Sequence, residues 1–121
     1  MRANDDRPPY YRTLWEHCNA KPDAWEDHPW GDTVFKLGDK IFAFLGSPDN
    51  PGATVKPPED EGEGLLELPY IHKASYIGRY GWVHVSVGDD EALRLALDLI
   101  DDTYEQVAAK RKRKRPRTGS S

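Results

Sequence analysis

Residues able to do acid–base or nucleophilic chemistry are scattered in this chain, whereas cations and aromatics are grouped. His17 and Cys18 are adjacent, and neighbours on a helix diverge by about 100°, so they cannot serve one substrate. Cys18 falls on an apolar stripe with Tyr11, Leu14 and Trp15, the setting of an inert core thiol. Asp27, His28 and Asp32 share one stretch, but the HxxE and HExxH spacings that specify a metal site are absent, and "EDHPWGD" reads as turn and capping chemistry. Asp98–Asp102 and Asp101–Glu105 are carboxylate pairs four residues apart. General acid–base work needs a cleft that shifts one pKa, and on the outside of a terminal helix such pairs form a solvated face. "GEGLLEL" lacks the third glycine and preceding strand of a dinucleotide loop, and one cysteine is too few for a thiolate zinc site. Neither a catalytic site, a metal nor a cofactor is expected.

The cations are better organised. Lys110, Arg111, Lys112, Arg113, Lys114, Arg115 and Arg117 are seven of the 17 basic residues, and no acid follows Glu105. The ten remaining cations face 21 acids, so the body before Lys110 has a formal charge of −11 although the whole chain is at −4. Such a run can neutralise phosphates without reading bases, with a log–log salt slope of up to about −6 on duplex DNA. Its alternatives are a solubilising extension or one folded back on Glu59, Asp60, Glu61 and Glu63. A second basic group, Lys73, Arg79, Trp82 and His84, lies along one predicted hairpin. There a charged tip suits phosphate and an exposed indole suits a base; alternatively Trp82 packs under Trp30 or the first helix, and His84 fills a polar strand position. Lys36 and Lys40 read as solubilising edge charges.

Elements that would position these groups follow from periodicity. Helical spacing from Tyr11 to Cys18 predicts a first helix, and "DAWEDHPWGD" a loop. "TVFKLGDKIFAFL" predicts a hairpin turning at Gly38-Asp39, "GSPDNPG" a loop and "ATVKP" a third strand. "PEDEGEGLLELP" predicts a short helix closed by Pro69. "IHKASYIGRYGWVHVSV" predicts a hairpin pairing Ile77 with Trp82, with Ala74, Tyr76, Val83, Val85 and Val87 on the core side and Lys73, Ser75, Trp82, His84 and Ser86 opposite. A last helix runs from about Asp89 to Lys112. Leu93, Leu97, Ile100, Tyr104 and Val107 form its buried stripe, and Asp98, Asp101, Asp102 and Glu105 its outer face. The order, α-β(3)-α-β(2)-α, specifies an α+β two-layer sandwich on an antiparallel sheet, with one domain over residues 1–109 and a basic, disordered tail over 110–121. No run of about 18 apolar residues is present, the N-terminus lacks a signal-type apolar region, and cysteine usage suits a reducing compartment, so a cytoplasmic, membrane-free protein is expected.

The stretches "KPDAWEDHPWGDTVFKLGDKIFAFL", "TVK", "LPYIHKASYIGRYGWVHV" and "LALDLIDDTYEQV" resemble the MmcQ/YjbR family of small bacterial proteins. The best-matching positions are Trp30-Gly31, Lys40, Phe42, Phe44, Lys56, Leu68-Pro69, Trp82, Asp102 and Tyr104. Where many members carry Asn-Lys and then His-Trp, this chain has Gly78-Arg79-Tyr80-Gly81-Trp82, keeping a basic residue and the Trp. The resemblance implies the same α-β(3)-α-β(2)-α fold, related to secretion chaperones and compared with double-wing DNA-binding domains, and no enzymatic activity. Two functions are therefore expected. One is weak, largely sequence-independent nucleic-acid contact through the tail and the hairpin; the alternative is a module docking a protein partner, or a second copy, through its sheet or acidic helix face.

Overall fold

The computed structural model describes residues 8–29, 31–75 and 77–114, with backbone only for 112–114. Pro8 is extended and Pro9 opens helix α1 (Pro9–Asn19), where its missing N–H is no loss. Tyr11, Leu14 and Cys18 recur on one face of α1 and are buried. Strands β1 (Ala24–Asp27), β2 (Val34–Leu37), β3 (Lys40–Ser47) and β4 (Asn50–Val55) follow, then the single turn α2 (Gly62–Leu65). Strand β5 (Ile71–Lys73), a 3-10 turn (Gly78–Tyr80), β6 (Val83–Ser86) and the long α3 (Asp90–Lys114) complete the chain. The strands form one antiparallel sheet in the order β1-β2-β3-β4-β6-β5. Helices α1 and α3 touch each other and both cover β3 and β4, so the expected two-layer α+β sandwich forms around a single core.

Rings tie the layers together. Trp15 meets Phe35 edge-on at 5.9 Å, Phe35 meets Phe42 at 6.4 Å, and Phe42 meets Tyr104 of α3 at 5.2 Å. Such pairs each add about 0.5–1.5 kcal/mol beyond the area they bury.

Five details differ from the sequence reading. "AWED" is a strand, not a loop: β1 lies at the sheet edge beside β2, where polar side chains are tolerated because pairing needs only the backbone. Its partners confirm the pairing, since Lys36 of β2 lies 2.8 Å from Asp27 and 5.2 Å over the Trp25 ring. β3 continues to Ser47 and β4 begins at Asn50, so most of "GSPDNPG" is strand around a tight turn. The β5–β6 register pairs Lys73 with Val83 and His72 with His84, not Ile77 with Trp82. That change of parity moves Lys73 off the face of His84 and puts His72 there, because a shift by an odd number of residues swaps the sides of a strand. Finally, the buried stripe of α3 is Ala92, Ala96, Leu99, Ile100, Thr103 and Tyr104, while Leu93, Leu97 and Val107 only flank it. Two alanines let the helix lie close to the sheet, which rotates the larger side chains to its margins. The helix also continues past Ala109 to Lys114, so Lys110 to Lys114 are helical.

Candidate functional site

The β2–β3 turn, the end of β4 and the β5–β6 connection all lie at one end of the sheet, and the last turns of α3 overhang them. Between them is an open cavity of about 830 Å³. Its floor and walls are Ile41, Phe44, Ile77, Trp82 and Val107, and its cations are Lys40, Lys56, Lys110 and Arg111.

Lys56 is held by α3. Its backbone N–H donates to Thr103 Oγ1 at 3.0 Å, and its carbonyl accepts from Gln106 Nε2 at 2.9 Å. The single Thr103 hydroxyl proton lies between the carbonyls of Lys56 and Leu99, at 3.0 and 2.9 Å. These bonds replace the ladder that β4 leaves at Val55, so the strand ends there without unpaired backbone groups. Trp82 is fixed by the chain around it. Gly81 caps the 3-10 turn at φ +95°, a conformation that strongly favours glycine, and the Lys56 stem runs beside it. The half-buried indole then meets Phe44 edge-on, with centroids 5.7 Å apart. At the opposite rim, Gly38 turns the β2–β3 hairpin at φ +65°, and the Arg111 guanidinium packs 3.3 Å from where its Cβ would be.

None of the four cations forms an ion pair among the described residues. Asp39 is the only carboxylate among the described residues that line the cavity. Elsewhere the acid surplus does neutralise cations. His17 of α1 and Lys21, two residues past its end, both meet Asp101 of α3, His17 at 2.7 Å, and Lys21 also lies 5.5 Å over the Tyr104 ring. Burial alone would raise the Asp101 carboxyl, but the hydrogen bonds from Lys21 and His17 outweigh it and hold it below the usual range. Asp101 is thus an inter-helix clamp, not the solvated charge expected of the outer face. Asp102, half-buried near Asp98 and Asp101, is raised by burial and then by their charge. Cys18 is fully buried, and burial pushes its thiol up to about 12, so it has no accessible thiolate. Asp27 accepts from the His28 N–H at 2.9 Å, in keeping with a turn role.

The residues singled out from sequence divide into three groups. Trp82, Lys110 and Arg111 come together in the cavity. Lys73 and Arg79 are exposed on the outer side of the β5–β6 connection, with Arg79 5.3 Å over Tyr80, and do not line it. His84 is half-buried and does not line the cavity: its Nδ1 lies 2.9 Å from Thr54 Oγ1, and burial, then the nearby His72, hold its pKa below 6.5. Its row across the sheet, Phe44–Thr54–His84–His72, is set by the ladder registers. The side chains of Lys112, Arg113 and Lys114, and residues Arg115 and Arg117, lie outside the described residues, as do Trp30 and Tyr76.

Lys40, Lys56 and Phe44 were not singled out as site residues. Their signal was present, because Lys40, Phe44, Lys56 and Trp82 are all among the positions that best match the family pattern. Distant in sequence, they converge on one cavity.

The structure is thus a two-layer α+β domain with a helix-roofed, aromatic-floored basic cavity. The YjbR family matches residues 19–106, most of the chain, and this protein belongs to that family. Its fold is similar to the crystal structure of a Pseudomonas syringae protein solved as a structural-genomics target, with a TM-score of 0.62 and 19% identity over 78% of this chain and 96% of that one. No curated protein matches the chain. No helix among the described residues is long and apolar enough to cross a membrane.

Proposed function

We propose that this protein is a non-enzymatic nucleic-acid-binding domain whose docking surface is the cavity at the end of the sheet, extended by the cations that follow Arg111. The observation that supports this reading is the grouping of Lys40, Lys56, Lys110 and Arg111, unpaired among the described residues, around Trp82 and Phe44. In a body with a formal charge of −11 before Lys110, four cations sharing a cavity with one carboxylate and no ion pair among the described residues favour an anionic partner. Ammonium and guanidinium groups bind and orient phosphate, and an aromatic floor accepts a base face without reading its identity. Lys73 and Arg79 add charge beside the cavity without entering it.

A salt titration of polynucleotide binding tests this for the full chain and for a chain ending at Ala109. Removing Lys110, Arg111 and the cations beyond them is expected to weaken binding strongly and flatten the log–log slope by about 5 to 6 if all seven engage duplex DNA. A shortened chain that binds equally well with an unchanged slope would refute the role of the C-terminal cations. Binding that vanishes in moderate salt, alongside stable capture of a protein partner, would favour the chaperone-like alternative instead.

A further inference from the structure

The cavity has a shape as well as a charge, and the two together narrow the ligand. A volume of about 830 Å³ lies in the range of small-molecule sites and suits one nucleotide with its phosphate better than a helical duplex. Its aromatic surface lies inside, on Phe44 and Trp82, whereas its cations stand around it on three separate elements: the β2–β3 turn, the end of β4 and α3. A ligand satisfying both must present a flat apolar face and an anion within one residue's reach.

Hydrogen-bonding capacity is present at the same place. Gln106 donates its Nε2 to the Lys56 carbonyl, which fixes the orientation of the amide, and its Oε1 has no partner among the described residues. Gln106 lines the cavity and is already held by that bond, so its amide oxygen can accept from a base edge at little ordering cost. In a duplex the faces of the bases are stacked on one another, and presenting one to Trp82 requires extrusion at a cost of a few kcal/mol. An unpaired nucleotide avoids most of that cost.

Resting on the reading above, we infer that the cavity receives a single unpaired nucleoside phosphate unit, its base against Trp82 and Phe44 and its phosphate among Lys40, Lys56, Lys110 and Arg111. The same unit occurs at an unpaired position of a strand and as a free mononucleotide. Base–aromatic stacking of about 1–3 kcal/mol per base corresponds to a preference of about fivefold to a hundredfold for single strands over duplex at matched phosphate number.

The test uses the full ¹⁵N-labelled chain and follows the Trp82 indole N–H resonance, identified by its loss in Trp82→Phe. The probes are AMP, ribose 5-phosphate and adenosine, then a single strand of about twelve nucleotides and a blunt-ended hairpin with the same number of phosphates. AMP is expected to move the Trp82 indole and the Lys56 and Gln106 amides, with ribose 5-phosphate and adenosine each binding about tenfold more weakly or less. The single strand should displace AMP about tenfold better than the hairpin, and Lys56→Gln, a change at the cavity rim, should weaken both AMP and strand without loss of the folded spectrum. Equal binding of strand and hairpin with the Trp82 resonance unmoved would overturn the inference while leaving a polynucleotide partner intact. AMP seated at Trp82 with neither polynucleotide bound would uphold the cavity assignment and overturn the polynucleotide reading.

Discussion

Among the places where this molecule brings cations beside an aromatic ring, two treat the charge in opposite ways. Where α1 crosses α3, Lys21 and His17 converge on Asp101, and Lys21 also lies over Tyr104. At the end of the sheet, Lys40, Lys56, Lys110 and Arg111 surround Trp82 and Phe44 with no ion pair among the described residues. The first cluster is internally neutralised and joins two helices. The second leaves like charges together, an arrangement that costs free energy until an anion arrives. With 21 acids in the chain, pairing those cations was chemically available. The contrast separates a cluster that joins two helices from the one on which the proposed ligand would dock.

The largest expected effect comes from neutralising the second cluster. Replacing Lys40, Lys56, Lys110 and Arg111 together by Gln should lower polynucleotide affinity by about a hundredfold or more at low salt and make the salt slope shallower by about 3 to 4. Thermal stability of that variant should hold or rise, because mutual repulsion is removed. A lower Tm with unchanged affinity would reverse the assignment of the two regions.

Next is the clamp that places Lys56. Thr103→Val should destabilise the fold by about 1–3 kcal/mol in chemical denaturation, since the Lys56 N–H loses its acceptor. It should also weaken ligand binding, because the cavity loses the backbone anchor of one cation.

Asp101→Asn should cost about 1 kcal/mol, a modest figure because the Asp101 side chain is 42% exposed and its ion pairs are partly screened. Ligand affinity should not change. The carboxyl is held below its ordinary 3.8, so its stabilisation is complete above that value and disappears as pH falls through the depressed one. The stability gap between the two proteins should therefore close in acid, as followed by Tm against pH.

The smallest effect concerns His84. Its pKa is held below 6.5 by burial and then by His72, so the unfolded chain takes up that proton more readily. Stability attributable to His84 is full above 6.5 and declines as pH falls from there toward the folded value. His84→Gln should flatten that part of the Tm profile and leave strand binding unchanged.

How much of this could be read beforehand depended on the range of the physics involved. The helical repeat of α1, the Gly38-Asp39 turn and the alternation Val83, Val85, Val87 are local patterns, and each appears where it was expected. β1 was missed because an edge strand need not alternate apolar residues. The β5–β6 register was missed because seven residues, not a tight turn, separate Ala74 from Trp82, whose backbones still pair at 3.1 Å. The identity of the α3 stripe depended on which side chains the sheet could accommodate closely, and small Ala92 and Ala96 prevailed over bulkier neighbours.

Composition and local periodicity alone determined the charge asymmetry, the α+β class and the buried position of Cys18. Tertiary structure decided which cations would share a space. Lys40, Lys56 and Lys110 are far apart along the chain, and only antiparallel pairing, together with the Thr103 and Gln106 bonds to Lys56, brings them to one end of the sheet. Electrostatic neighbourhood is a property of distance in space, and no local pattern encodes it.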